Sequence, residues 1–546
     1  MHGDWVDSKF SRSTMLKGGL GVALGAAGVG GLVDAAGAAT RSRASVFARA
    51  PRKGGTMVVA SGDGMGRDFF VGNSFGPQGF SYYQLAFPLW RYTPGGARLI
   101  NGLAVGYTPS KDGLSHVIGL REGIKFHDGS EINAKAVAHN LRAAFYTNYP
   151  LRGPGIYQMI PLFWGGFPGI VKDIQVLGKR TLKITLSEPR ADIRGSLAFL
   201  PIFNPRVLAV KTYGSDVEAM KAAGSGPFRL AAFQSGQFAE YTKVRGFYEE
   251  AYLDRLRVQL VPDASARFLA LRSGQAHVAI GLSNPDWNSV VDNPRYRTFV
   301  SALSNNVFVG FNATKNQLLR TNRDVREALA RAMNRPAYVA NYWGKGLAKL
   351  SSQITLGLGV NGNNPAIKPL PYDPRGAQDL LRKAGVSDLK LSIINPPAFA
   401  AAPELAAMLQ AMAGDLARVG VELTVKITDV PGWLAGAPVN DMAVAPYGGS
   451  AGNGVGIASL YFRRPATAYQ PPYRGVFRKL LEEAAVSLNV EERDKRLRRL
   501  MVLTSQYVSG IPIAYSYAAA AGTSKVRDFS NSAAPVDPQN RAWIEA

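Results

Sequence analysis

A serine with glycines two positions either side can be the nucleophile elbow of a hydrolase, and this chain carries the pattern twice. The stretches are Gly72-Asn73-Ser74-Phe75-Gly76 and Gly448-Gly449-Ser450-Ala451-Gly452. An elbow needs a strand before the serine and a helix after it. Ser74 runs into Pro77-Gln78-Gly79, which starts no helix. Ser450 follows an apolar, strand-like run from Met442 to Ala445, but Gly452-Asn453-Gly454-Val455-Gly456 then reads as loop. The serine also needs a positioned base. The five histidines are His2, His116, His127, His139 and His277, so none follows His277. With 59 glycines in the chain, two matches by chance are expected. Serine hydrolysis is therefore the weakest reading, and the expectation is that the chain is not an enzyme.

Other chemistries find less support. With no cysteine there is no disulfide, thiolate metal site or lipidated cysteine. No His-Glu-x-x-His pair and no Gly-Lys-Ser/Thr phosphate loop occurs. His127, beside Asp128-Gly129, reads as a hydrogen-bonded turn residue rather than a metal ligand. Neither a metal nor a cofactor is expected.

Groups that could bind without reacting are more plentiful. Gly62-Asp63-Gly64-Met65-Gly66 follows a strand without the helix start of a dinucleotide site, so Asp63 and Met65 are candidates for a pocket loop. Phe80, Tyr82, Tyr83, Phe87, Trp90 and Tyr92 crowd one stretch. Tyr82 and Trp90 are taken as candidate aromatic walls, against the alternative that these rings pack a core. Tyr447, Gly448, Ser450 and Asn453 form a second candidate loop, with one aromatic, close backbone and two neutral hydrogen-bonding side chains.

The elements that must hold these loops alternate between strand and helix. Thr56–Ala60 and Gly123–Phe126 read as strands, the second turned by Asp128-Gly129. Asn133 caps a helix with Val137, Leu141 and Ala144 on one face. A strand at Arg257–Val261, a helix capped by Asp263 and ended by Gly274, and a strand at His277–Ile280 make a βαβ unit. Asp324 and Glu327 read as a box-like cap. Asp373-Pro374 opens a helix that Gly385 closes. A helix through Leu405 to Val419 stops at Gly420, and Val421 to Ile427 alternates as a half-buried strand. Helices near 475–488 and 490–508 precede a final strand at Ile511–Tyr517. No fixed-period repeat appears.

Residues 1–39 read as a targeting segment: Arg12 and Lys17 precede a Gly- and Ala-rich apolar stretch that ends at Gly37-Ala38-Ala39. Ser11 to Lys17 resembles a twin-arginine signal with Ser13 in place of the second arginine. Residues 40–54 read as a linker. A net charge of +24 is spread along the chain, without the basic tract or reader motif of a nucleic-acid binder. A periplasmic protein without a lipid anchor is expected.

Several segments, in order, resemble the extracytoplasmic solute-binding proteins of ABC importers, family 5, which include oligopeptide-, dipeptide- and nickel-binding proteins. They are Leu120-Arg121-Glu122-Gly123-Ile124-Lys125-Phe126-His127-Asp128-Gly129, Gly224-Ser225-Gly226-Pro227-Phe228, Pro262-Asp263-Ala264-Ser265-Ala266-Arg267, Phe311-Asn312-Ala313-Thr314 and Tyr372-Asp373-Pro374. The resemblance implies an α/β, two-lobed type II periplasmic binding protein with an extra subdomain in lobe one. Lobe one would comprise 55–305 plus 510–546 and lobe two 306–509, with crossings near 305 and 510. It places Asn312 at the hinge, as a backbone tie or a ligand contact.

The implied function is capture of a small solute between the lobes and delivery to the permease subunits of an ABC transporter, by a monomer. The solute would be peptide-like, an opine, a glycoside or a metal chelate. A periplasmic sensory or chaperone-like binder is the alternative. Peptide-binding relatives have an acidic residue where this chain reads Pro446 to Gly454, and here no carboxylate occurs. A buried ammonium without a partner is costly, so a neutral or anionic ligand is expected rather than a free peptide.

Overall fold

The strand Thr56–Ser61 buries Met57, Val59, Ala60 and Ser61, as a strand between parallel neighbours with both faces covered must. In the computed structural model it pairs in parallel with Arg255–Leu260 on one side and Val278–Ile280 on the other. The helix Ala264–Arg272 joins those two neighbours, capped by Asp263, whose Oδ1 accepts from Ala266 N at 2.7 Å. The expected βαβ unit is therefore present, with the first strand inserted between its two strands. The structure describes residues 50–62, 83–96, 98–146, 148–150, 169–208, 217–395, 404–427, 439–447, 454–462, 474–531 and 539–545. Residues 51–546 form one unit.

Two large sheets organise the described residues. The first has seven strands, and its antiparallel members include Tyr296–Val300 and Ala519–Thr523. The second has six, with Met442–Tyr447 central between Asn305–Phe311 and Leu389–Asn395. Alternation splits the second sheet's faces. Val307, Val309 and Phe311 pack with the helices Arg323–Ala332 and Glu404–Ala417. Phe308, Ala443 and Ala445 face the helices Gly454–Phe462, Arg474–Val486 and Val490–Gln506. A smaller antiparallel sheet spans 104–186, and its Ile118, Ile174 and Ile184 share one core with Met57 and Val59 of the first sheet.

The chain passes between the large sheets twice, at 301–304 and at 517–518. The second passage is later than the expected 510. Gly510–Ser516 stays in the second sheet, paired with Asn305–Gly310, because Ile511 and Ile513 belong to that sheet's core. Nor is it the final strand. Ala519–Thr523 follows, a run of small residues with little strand signal, held by pairing on both edges.

Three local readings change. Gly123–Phe126 forms no strand beyond a single bridge from Lys125 to Glu131, because Gly123 and Gly129 turn the chain at φ 73° and 86°. The helix Arg323–Ala332 is capped by Asn322, whose side chain accepts from Val325 N at 3.2 Å, and not by Asp324. The stretch read as loop through Gly456 becomes helix from Gly454, because Val455, Ile457, Ala458 and Tyr461 pack into the second sheet's core.

Candidate functional site

Strand direction locates the site. In the first sheet Ile280, the carboxyl end of its strand, sits opposite Ala520, and Val300 sits opposite Ala519. The carboxyl ends of the parallel strands therefore point towards the two passages. In the second sheet Asn306 lies opposite both Tyr447 and Tyr515, so the carboxyl end of Met442–Tyr447 points the same way. Leu389–Asn395 runs parallel to it. In open α/β sheets ligands bind outside the carboxyl ends of strands. The segments that leave those ends are 62–82, 261–263, 281–283, 396–403, 428–438 and 448–453.

Asp63, Met65, Tyr82, Gly448, Ser450 and Asn453 lie outside the described residues, and Tyr447 is described by its backbone alone. The other two candidates sit away from these ends. Trp90 is 1% exposed in the first lobe's core, with its ring edge-on to Tyr107 at 5.6 Å. Its neighbours Tyr83, Phe87 and Tyr92 are buried as well, so this part of the aromatic run packs a core. Asn312 follows the far end of Asn305–Phe311, about 20 Å from the passages at strand rise. It is therefore not at the hinge. It ties backbone: Nδ2 donates to Asn440 O at 3.0 Å and Oδ1 accepts from Lys315 N at 3.2 Å.

Arg267 pins two of the strand ends together. Its Nη1 donates to Val261 O and Pro262 O at 2.8 Å, and Nη2 donates to Gly281 O. A side chain at Gly62 would collide with this guanidinium unless Arg267 moved and gave up these bonds.

Contacts across the lobes flank the same region. Trp287 Nε1 donates to Lys345 O at 3.0 Å, and Asn288 Oδ1 accepts from Lys345 N at 2.7 Å. Glu404, at the start of its helix in the second lobe, accepts from Asn284 N at 3.4 Å. Glu404 Oε2 and Asn284 Nδ2 are buried without a partner among the described residues, which leaves one acceptor and one donor at this junction. Sequence reasoning missed both residues, because neither lies in a motif. Among the described residues no group of three or more His, Asp or Glu could hold a metal, and no helix is long and apolar enough to cross a membrane.

The model of the bacterial extracellular solute-binding proteins, family 5, matches residues 98–468. Heme-binding protein A of Haemophilus influenzae is 25% identical over 469 residues, 81% of this chain and 84% of that protein. The glutathione-binding protein GsiB of Escherichia coli K12 is 29% identical over 311 residues, 56% of each chain. Among solved structures, the periplasmic binding protein DppA of Helicobacter pylori, in complex with the peptide STSA, has a TM-score of 0.77 at 23% identity. That match covers 91% of this chain and 99% of DppA. NikA of Brucella suis, in complex with Fe(III)-EDTA, has a TM-score of 0.75 at 18% identity, covering 90% of this chain and 100% of NikA. Matched by the family's model over most of its length and sharing the two-lobed fold of these neighbours, the chain belongs to the family 5 bacterial extracellular solute-binding proteins.

Proposed function

We propose that this chain is the solute-capturing component of an ABC import system. It holds a small solute between its lobes as a monomer and passes it to the permease, and no bond is made or broken. The observation that carries the reading is the family match on a chain whose two sheets aim their strand ends at the same pair of passages. A twin-arginine-type leader containing Arg12 would take it to the periplasm without a lipid anchor. Arg12→Lys should then leave precursor in the cytoplasm, and unimpaired export without the twin-arginine translocase would assign the general secretory route.

The proposed contacts are the loops that carry Asp63, Met65 and Tyr82 on one side and Tyr447, Gly448, Ser450 and Asn453 on the other. The second loop has no carboxylate for an α-ammonium, which favours a neutral, anionic or polyhydroxylated solute. Relatives and neighbours include binders of heme, glutathione and peptides, so the family admits each class. Glu404, whose Oε2 is buried without a partner among the described residues, is a carboxylate at the lobe junction that could replace the missing charge.

Mass spectrometry of solute released from protein purified from its host periplasm tests the function. A solute present at near one equivalent supports it, and protein that is empty after purification under native conditions counts against it. Calorimetry with di- to pentapeptides tests the class. No heat is expected. Micromolar binding abolished by Glu404→Gln would restore the peptide reading and assign Glu404 as its counter-charge.

A further inference from the structure

The segment Arg190-Ala191-Asp192 stands just before the helix Ile193–Leu197, in the first lobe's core. Asp192 occupies that helix's N-cap position, yet its side chain makes no cap bond to its own helix. It points across the lobes instead. Asp192 Oδ2 accepts from Gly456 N at 3.0 Å, a buried bond between residues 264 apart in sequence. Gly456 is in the first turn of Gly454–Phe462, where backbone N–H groups have no partner within the helix. One residue earlier, Ala191 N donates to Ala485 O at 2.8 Å. Ala485 is in the last turn of Arg474–Val486, where carbonyls lack partners for the same reason. Two adjacent residues of the first lobe thus satisfy the amino end of one second-lobe helix and the carboxyl end of another.

Behind this contact lies a buried ion pair. Arg190 Nε donates to Asp192 Oδ1 at 2.8 Å, with side chains 1% and 0% exposed. Arg190 Nη2 donates to Ser196 Oγ at 2.9 Å. Every one of these partners except Gly456 and Ala485 belongs to the first lobe. Separating the lobes would leave the pair intact, expose it to water and release both helix ends. Joining the lobes costs the desolvation of a charged pair and returns a charge-assisted hydrogen bond at the positive end of a helix dipole. Those terms oppose each other, as a contact that must make and break requires.

We propose that Asp192 is an interlobe latch, made when the lobes close and broken when they open. The helix it grips begins at Gly454, which follows the candidate ligand loop 448–453 directly in sequence. The inference rests on reading the chain as a binding protein that opens and closes.

The lack of native cysteine allows a direct measurement. Lys111→Cys, in a turn of the small sheet next to Gly113, whose carbonyl accepts from Arg190 N, and Leu488→Cys, just beyond Ala485, are both exposed and lie one in each lobe. Spin labels at these sites report the lobe separation of the ligand-free full chain. Asp192→Asn keeps the side chain's size and removes its charge. Gly456→Pro deletes the donor from the other lobe and leaves the Arg190–Asp192 pair untouched, at a first-turn position. Each change should lower the ratio of short- to long-distance populations roughly tenfold, Gly456→Pro by deleting the hydrogen bond to a charged group and Asp192→Asn by removing the charge that strengthens it. Distance distributions identical to the parent in both variants would overturn the latch. The measurement needs no ligand, so it can fail while the solute-binding reading stands, and that reading has its own test in the co-purified solute.

Discussion

His127 shows how a motif residue can be structural. Its Nε2 faces Gly226 O at 3.0 Å and must carry the proton. Its Nδ1 is buried without a hydrogen-bond partner among the described residues. A side chain at Gly224 would collide with the ring and with Leu85 O, so the glycine is needed for close approach. Burial pushes the imidazole down to about 4, against the pull of the Gly226 bond. Burial also lowers His116, His139 and His277. The native state therefore favours neutral histidine, while the unfolded chain takes up protons from its ordinary value near 6.5. The stabilisation is complete above that value and is lost as pH falls from about 6.5 towards about 4. Urea midpoints should drop steadily over that window, and His127→Gln should make the drop shallower; an equally steep decline would remove His127 as a cause. Gly224→Ala should cost about 1–3 kcal/mol in the same assay, by overpacking.

At the scale of elements, Arg326 is the most demanding residue. It is fully buried on Arg323–Ala332, and the partners recorded for it are backbone carbonyls. Nε donates to Val508 O at 3.0 Å, Nη1 to Leu319 O at 3.0 Å and Nη2 to Tyr507 O at 2.7 Å. These carbonyls close the helices Val490–Gln506 and Gln317–Thr321, whose dipoles present negative ends there. One planar guanidinium thus fastens three helices. Arg326→Met would leave several buried carbonyls unpaired and should cost about 3 kcal/mol or more by urea unfolding. Arg326→Lys should recover little of it, because an ammonium lacks the fork that spans those acceptors. A loss under about 1 kcal/mol for either variant would mean that water replaces the guanidinium there.

For the whole molecule, the two passages are bonded to each other, as the proposed hinge would require. Ser301 N donates to Ala518 O at 2.9 Å, and Ala518 N donates to Ser301 Oγ at 3.0 Å. Rotation of one lobe must carry both strands together. Small-angle scattering should give a smaller radius of gyration for protein holding its native solute than for protein stripped by unfolding and refolding. An unchanged radius would argue against closure. At the proposed ligand loop, Tyr447→Ala should weaken the native solute by about 1–3 kcal/mol through lost aromatic burial, measured by calorimetry. An unaltered affinity would take Tyr447 out of the site.

Features set by neighbouring residues could be read from the sequence alone. Asn133, Asp263 and Asp373 cap helices as their spacing implies, and Gly385 and Gly420 end helices at φ 67° and 82°. A cap spans three or four residues, so its signal is local. The order of motifs along the chain likewise sufficed for the family and its fold. What depends on residues far apart was settled by tertiary structure. Trp90 has the same composition cue whether it lines a pocket or a core, and packing against Tyr107 put it in the core. Ala519–Thr523 carries almost no strand signal of its own and exists through two partner strands. Asp192 reads locally as a cap for the helix that follows it. Only the approach of the other lobe, 264 residues away, turns its carboxylate onto Gly456, because hydrogen bonding follows distance in space and not along the chain.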